Sequence, residues 1–259
     1  MMLKIMMVFV LLFTTQLFAA VNPKPAVVPG TSLVGKSDLF KQLVLEYQKD
    51  EASSGHMTAL EKKTLTAGNK AVPVLIEVMK SSSYPERKRW MATFMLTRIM
   101  GGKAAPFIAR FTDHPHWMMR TAGLKSLLIL KEKKYAPLYV KALNDPALIV
   151  RIQALDNIRT LGLSTYADEV WSMMFKADNY TGGPKGKRIS NLIRSVIRTS
   201  GEFKHPKARK AFVSMINKDR YNAVFDDLDY ALSKSFGVKS PGGDKKARRA
   251  FWNKRAARG

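Results

Sequence analysis

The chain has 259 residues, with 44 Lys+Arg against 20 Asp+Glu, a formal net charge of +24, and no cysteine. Apolar residues make up 46% of it, enough for a real core, so wholesale disorder is excluded. The absent cysteine excludes a disulfide framework, thiolate metal sites, a cysteine nucleophile and cysteine lipidation, while the charge predicts attraction to polyanions such as nucleic acid, anionic lipid or envelope polymer.

In chain order, residues 1–20 read as a secretory signal peptide: a short positive start ending at Lys4, an apolar run over 5–13, and a more polar stretch ending in Ala19 and Ala20. Phe18 stands where cleavage after Ala20 prefers a small side chain, so an uncleaved amino-terminal anchor is the alternative. The apolar run is short for a bilayer span, which takes about 20 residues. The expectation is an exported protein, periplasmic or secreted. Residues 21–35, rich in proline, glycine and serine, read as a linker. Residues 36–70 hold two less regular helical segments, 38–48 and 57–66, expected to form an amino-terminal cap.

From 71 to 237 the sequence repeats. Arg89, Arg120 and Arg151 lie 31 residues apart, each followed three positions later by a small residue, Ala92, Gly123 or Ala154. Ile99, Leu130 and Leu161 keep the same spacing, and so, within two residues, do Pro73, Pro106 and Pro137 and also Pro85, Pro115 and Pro146. Four residue classes in one register define a structural repeat. Each unit predicts a helical hairpin. The first helices fall at 72–80, 104–111 and 135–143, with proline near the start, where a missing N–H costs little. Second helices fall at 85–100, 115–130 and 146–161, with Asp113 and Asn144 or Asp145 as candidate N-caps and proline just inside. In the third, Ile149, Ile152, Leu155, Ile158 and Leu161 form a drifting apolar stripe that suits burial between neighbours. Looser pairs follow at 166–175 with 188–197, across a loop at 178–186, and at 206–216 with 220–236, where Arg220 and Ala223 repeat the spacing. No strand-like alternation is present. The fold class is all-α, a stack of antiparallel helical hairpins.

Proline in the first helix, Asp-x-Pro at the turn, Arg-x-x-Ala opening the second helix, and the ends Ile99-Met100-Gly101 and Thr160-Leu161-Gly162 resemble HEAT repeats of the short-period class. The match is good over 71–162 and weaker over 164–237. The resemblance implies a right-handed α-solenoid, an armadillo-type superhelix in which each repeat contacts its neighbours and second helices line a concave face. It is specific for fold and says little of function.

In such repeats the arginine typically bonds the turn aspartate or nearby carbonyls and ties repeats together, so Arg89, Arg120, Arg151 and Arg220 are expected as structural positions, with Asp113 and Asp145 as candidate partners of Arg120 and Arg151; Pro106 and Pro137 are structural as well. A basic binding ladder is the alternative. Twelve Lys/Arg against three acids lie between Lys176 and Arg220, and eight against one from Lys239 onward. These supply the polyanion-binding candidates Lys185, Lys187, Arg188, Arg194, Arg198, Lys207, Arg209 and Lys210. The basic tail, 238–259, adds Lys245, Lys246, Arg248, Arg249, Trp252, Lys254 and Arg255. A helical tail would set cations on phosphates or headgroups, with its aromatics stacking on bases or entering lipid. A solvated, flexible tail is the reading preferred over that one.

His114 and His116 form a His-x-His without a local third ligand and read as a turn. No metal, cofactor or catalytic residue is expected, and no nucleophile-elbow, Walker-type or zinc-protease motif is found; the glycines at 182–186 lack a strand–loop–helix setting. HEAT-like DNA glycosylases place tryptophans and an aspartate near the lesion; Trp90, Trp117, Trp171, Asp113 and Asp168 do not match that motif one by one. Phycobilin lyases share only the repeats. The expectation is an exported, non-enzymatic scaffold that binds a protein partner through its concave face, its basic carboxy-terminal region meeting anionic surfaces. A polyanion-binding protein is the alternative, and a glycosylase the third.

Overall fold

Proline sets where each hairpin begins. In the computed structural model, which describes residues 35–51, 53–182 and 188–258, Pro73, Pro106 and Pro137 occupy the first turn of α3 (Val72–Lys80), α5 (Ala105–Ala109) and α7 (Ala136–Ala142). A residue without an N–H sits there at no cost in hydrogen bonds. The chain divides into two units, Met1–Lys36 and Ser37–Gly259, and every element named here belongs to the second. The expected leader, and the linker up to residue 34, lie outside the described residues.

Ahead of the repeats stand α1 (Asp38–Gln48), N-capped by the Ser37 hydroxyl, and α2 (Ser54–Ala67). Second helices are longer: α4 (Glu86–Met100), α6 (Trp117–Ile129), α8 (Leu148–Thr160), α10 (Asn191–Glu202) and α12 (Phe225–Phe236). Between them come α9 (Ala167–Ser172) and α11 (Ala208–Ile216), and α13 (Lys245–Ala256) closes the chain. Each second helix packs on the next, α4 on α6, α6 on α8, α8 on α10 and α10 on α12. Their apolar faces, among them Leu96, Leu124, Leu127, Leu155, Ile158, Val196 and Leu228, are fully buried between neighbours. The protein is an all-α solenoid of HEAT-like hairpins.

Several local expectations change. The N-caps of α4, α6 and α8 are Pro85, His116 and Ala147, so Pro115 and Pro146 precede the caps instead of opening the helices, and Asp113 is no cap. A ladder of two residues a side, Thr181–Gly182 on Arg188–Ile189, pairs antiparallel; it is too short to leave an alternation in the sequence.

Each second helix hands over to the next hairpin through one left-handed residue. Gly101, Gly162 and Gly237 take φ of 55°, 66° and 67°, and Lys131 and Lys204 take 55° and 51° at the equivalent places. After α6, α8, α10 and α12 the following N–H closes a wide turn, with Glu132 on Leu127, Leu163 on Ile158, His205 on Ser200 and Val238 on Ser233. The demand for this turn is therefore strong enough to hold two lysines in a region that costs a non-glycine residue about 1–2 kcal/mol.

The repeated arginines tie consecutive hairpins together. Arg120 donates through Nε and Nη2 to both oxygens of Asp145 at 2.6 and 2.7 Å, and through Nη1 to the carbonyls of His114 and Pro115. Arg151 repeats the geometry: Nη1 to the carbonyls of Asp145 and Pro146, Nε to Asn179 Oδ1 at 2.9 Å, and Nη2 to the Asp178 carbonyl. Arg89 Nη2 meets the Met79 carbonyl and lies 3.1 Å from His114 Nε2. Each guanidinium thus reaches the turn of the following hairpin, where Asp145 and Asn179 hold one equivalent acceptor position; the His114 ring stands at the same place, its Nδ1 accepting from the His116 N–H and its Nε2 beside Arg89. The expected partnership of Arg120 with Asp113 is corrected: Asp113 pairs with Lys141, and the Arg120 carboxylate comes from the next turn. Arg151 takes the Asp145 carbonyl, not its carboxylate. Burial, with the Arg89 charge beside it, holds the His114 pKa below the usual histidine range.

Arg194, fourth residue of α10, extends the series; it and Arg198 converge on Asp227 of α12, whose carboxylate is buried. Arg220 does not belong to it. It lies exposed in a short 3-10 segment, Asp219–Val224, stacked 4.8 Å from the Tyr221 ring. Arg151→Ala should lower unfolding free energy by about 1–3 kcal/mol by stranding buried acceptors, against less than about 0.5 kcal/mol for exposed Arg220→Ala, both read from urea denaturation.

The helices α10 and α12 come close at Gly201 of α10, where a methyl group would fall 2.5 Å from Ala231 Cα. Alanine there gains helix propensity of about 1 kcal/mol at most but overlaps backbone. Gly201→Ala should therefore lower the urea midpoint, by about 1–3 kcal/mol of stability.

Candidate interaction face

Of the polyanion-binding candidates, Lys185 and Lys187 lie outside the described residues, and Arg188 is placed only as part of the short ladder. Seven of the other twelve are engaged by groups of this chain, although only Trp252 is buried. Besides the Arg194 and Arg198 pairs with Asp227, Arg209 donates through Nε and Nη2 to the Ser235 carbonyl and stacks on Phe236. The tail is not a solvated strand. Asp244 caps α13 by accepting from the Ala247 N–H, and the helix docks on α11.

Three of the six cations of α13 are used in that docking. Lys245, Arg248 and Arg249 lie over the Phe225 ring; Arg248 pairs with Asp226 and Asp229, and Arg249 with Asp219, whose carboxyl it holds below the usual range. Trp252 is corrected from a stacking or headgroup residue to a core residue. It is 0% exposed, its N–H donates to Asp229 at 2.6 Å, and its ring stacks on Phe236 at 5.7 Å. An amphipathic aromatic is buried when its N–H finds a partner, and Asp229 supplies one. Lys207, Lys210, Lys246, Lys254 and Arg255 remain exposed, their side chains without a hydrogen bond or ion pair among the described residues.

The tryptophans and aspartates considered for a glycosylase occupy separate places. Trp171 is buried against His205, centroids 4.8 Å apart, and Asp168 accepts from His205 Nε2 at 2.8 Å. Asp113 is engaged by Lys141, and Trp117 lies beside His116. No lesion-type pairing of a free carboxylate with exposed tryptophan forms among them. His114 and His116 are a turn element: His116 Nδ1 accepts from the Met118 N–H and its Nε2 lies 2.7 Å from Glu86. Among the described residues no group of three or more His, Asp or Glu is arranged to hold a metal, and no helix is long and apolar enough to cross a membrane.

A second constellation, which motif reasoning missed, runs along the solvent-facing edge of the second helices. Trp90 of α4 packs edge-on against Phe94, and the Lys125 ammonium of α6 lies 5.9 Å from the Trp90 ring. Burial lowers the Lys125 pKa, with Asp156 of α8 opposing, and Asp156 pairs with Arg159 one turn on. The Arg159 charge reaches Tyr230 of α12. The Tyr230 ring carries Arg198 at 4.9 Å and Lys234 at 5.3 Å, and its hydroxyl donates to Glu202 at 2.7 Å, which raises its pKa. The strip spans five successive second helices and combines tryptophan, tyrosine and arginine, the side chains that dominate protein interfaces.

Comparison with known proteins yields no matching family model and no matching curated protein. Among solved structures the chain is similar to one described as the complex of CpcE and CpcF of phycocyanin lyase from Nostoc sp. PCC7120, at 15% identity and TM-score 0.44, covering 89% of this chain and 99% of that one. The likeness is one of helical build and carries nothing about substrate. It does correct one expectation: a chain of similar build is described as part of a lyase, so the exclusion of enzymatic activity drawn from the sequence is withdrawn.

The docking of α13 is directly testable. Because it touches chiefly its terminal neighbours, Trp252→Ala should abolish amide-exchange protection over 245–256 while α6 and α8 keep theirs. Retained protection of α13 would show that the tryptophan is not its anchor.

Proposed function

We propose that this chain is a helical scaffold that binds a protein partner along the strip from Trp90 to Lys234. One observation carries the reading: side chains of interface type line up across five stacked helices, while the repeated arginines are consumed inside the array. The layout of residues 1–20 supports an exported, periplasmic or secreted location, with an uncleaved anchor as the alternative.

A second reading, retention on an anionic polymer or lipid surface, draws on Lys207 and Lys210 with Lys246, Lys254 and Arg255, which lie exposed and unengaged on α11 and α13 and just before α11. A photo-reactive residue at Thr121, beside Lys125 on α6, should cross-link one discrete partner from the source cells; the same probe at Lys133, ahead of α7, should not. Trp90→Ala with Arg198→Ala should abolish the adduct. Equal adducts from both sites, or an adduct indifferent to the double substitution, would refute the interaction face. Lys246→Ala, Lys254→Ala and Arg255→Ala together should leave the adduct intact, and abolish retention on anionic vesicles if the second reading holds.

A further inference from the structure

We infer that the segment taken up by this strip is acidic and extended, with a carboxylate at about every third residue; the inference rests on the interaction-face reading. The ground is a mismatch between donors and acceptors. The strip's acids are already engaged: both oxygens of buried Asp227 accept from Arg194 and Arg198, Glu202 accepts from the Tyr230 hydroxyl, and Asp156 Oδ1 accepts from Arg159 and the Thr160 hydroxyl.

Its cations are only partly engaged. The half-buried Lys125 ammonium makes no hydrogen bond among the described residues; it lies 5.9 Å from the Trp90 ring, with the Asp156 charge opposing its desolvation. Arg194 and Arg198 each give one nitrogen to Asp227 and keep the rest of a five-donor fork. Among the described residues Lys234 meets the Tyr230 face and no carboxylate. Carboxylates supply what these groups lack, and charge-assisted bonds to them are the strong kind.

Spacing limits the ligand further. Packed helices stand roughly 8–10 Å apart, and an extended chain advances about 3.3 Å per residue, so Lys125, Arg159, Arg198 and Lys234 on successive helices meet roughly every third side chain. Asp156, paired with Arg159, and Glu202, bonded to Tyr230, add negative charge to the strip that disfavours a polymer charged at every unit, such as a nucleic acid strand, more than spaced carboxylates.

The test is fluorescence anisotropy on the full chain with a labelled twelve-residue peptide bearing glutamate at every third position, its glutamine counterpart, and a single-stranded oligonucleotide of similar length. The glutamate peptide should bind about tenfold or more tighter than the glutamine peptide, and weaken at high salt. Lys125→Gln, Arg159→Gln and Lys234→Gln together should remove that difference while leaving the melting temperature near wild type. Lys246→Ala, Lys254→Ala and Arg255→Ala should not remove it. Equal binding of the two peptides, loss only in the α13 variant, or tighter oligonucleotide binding that the strip variant abolishes would overturn the inference. A Thr121 cross-link without discrimination between the peptides would overturn the acidic ligand and leave the interaction face standing.

Discussion

The guanidinium strut between neighbouring hairpins is the constraint on which the rest of the molecule depends. A solenoid has no single closed core; each hairpin buries its apolar stripe only against its neighbours, so their relative placement must be fixed locally and repeatedly. Arg120 and Arg151 do this with five donors in a fixed fork, holding their own turn through Nη1 and the next turn through Nε and Nη2. The side chain facing the guanidinium changes chemically along the array, from imidazole to carboxylate to amide, while its position does not. Near the carboxy-terminal end Asp227 takes the role, joining α10 and α12 directly.

That arrangement explains how a chain of net charge +24 packs as it does. A large part of its positive charge is structural. The acids Asp219, Asp226, Asp227 and Asp229, set close together in an otherwise basic region, neutralise arginines from α10 and α13 and so fasten the last helix. Other cations stay outside these pairs, among them exposed Lys246 and Lys254 on the last helix and a strip of partly engaged cations among aromatics along the second helices.

Much of the fold was legible because the 31-residue register is a physical requirement written several times. Proline marks each first helix, and burial repeats at fixed offsets. The partners of the arginines were not legible, since a period locates equivalent residues but does not say whether a side chain reaches back to its own turn or forward to the next. Arg220 shares the Arg-then-small spacing yet lies in a 3-10 segment, whereas Arg194 lacks it and serves as a strut. Counting from Ser190, which caps α10, would have placed Arg194 at the strut position. The face was the least legible: Trp90, Lys125, Arg159 and Tyr230 belong to no motif and come together only when successive helices stack. Trp252 was misplaced because its anchor, Asp229, is contributed by another helix.

The most direct test of this account is a double-mutant cycle on Arg120 and Asp145, read by urea denaturation of the full chain. If the strut spans two hairpins as described, Arg120→Ala, Asp145→Ala and the double variant should show a coupling energy of about 0.5–3 kcal/mol. Strictly additive losses would mean that the two side chains act independently, and that the hairpins are held in register by apolar packing alone.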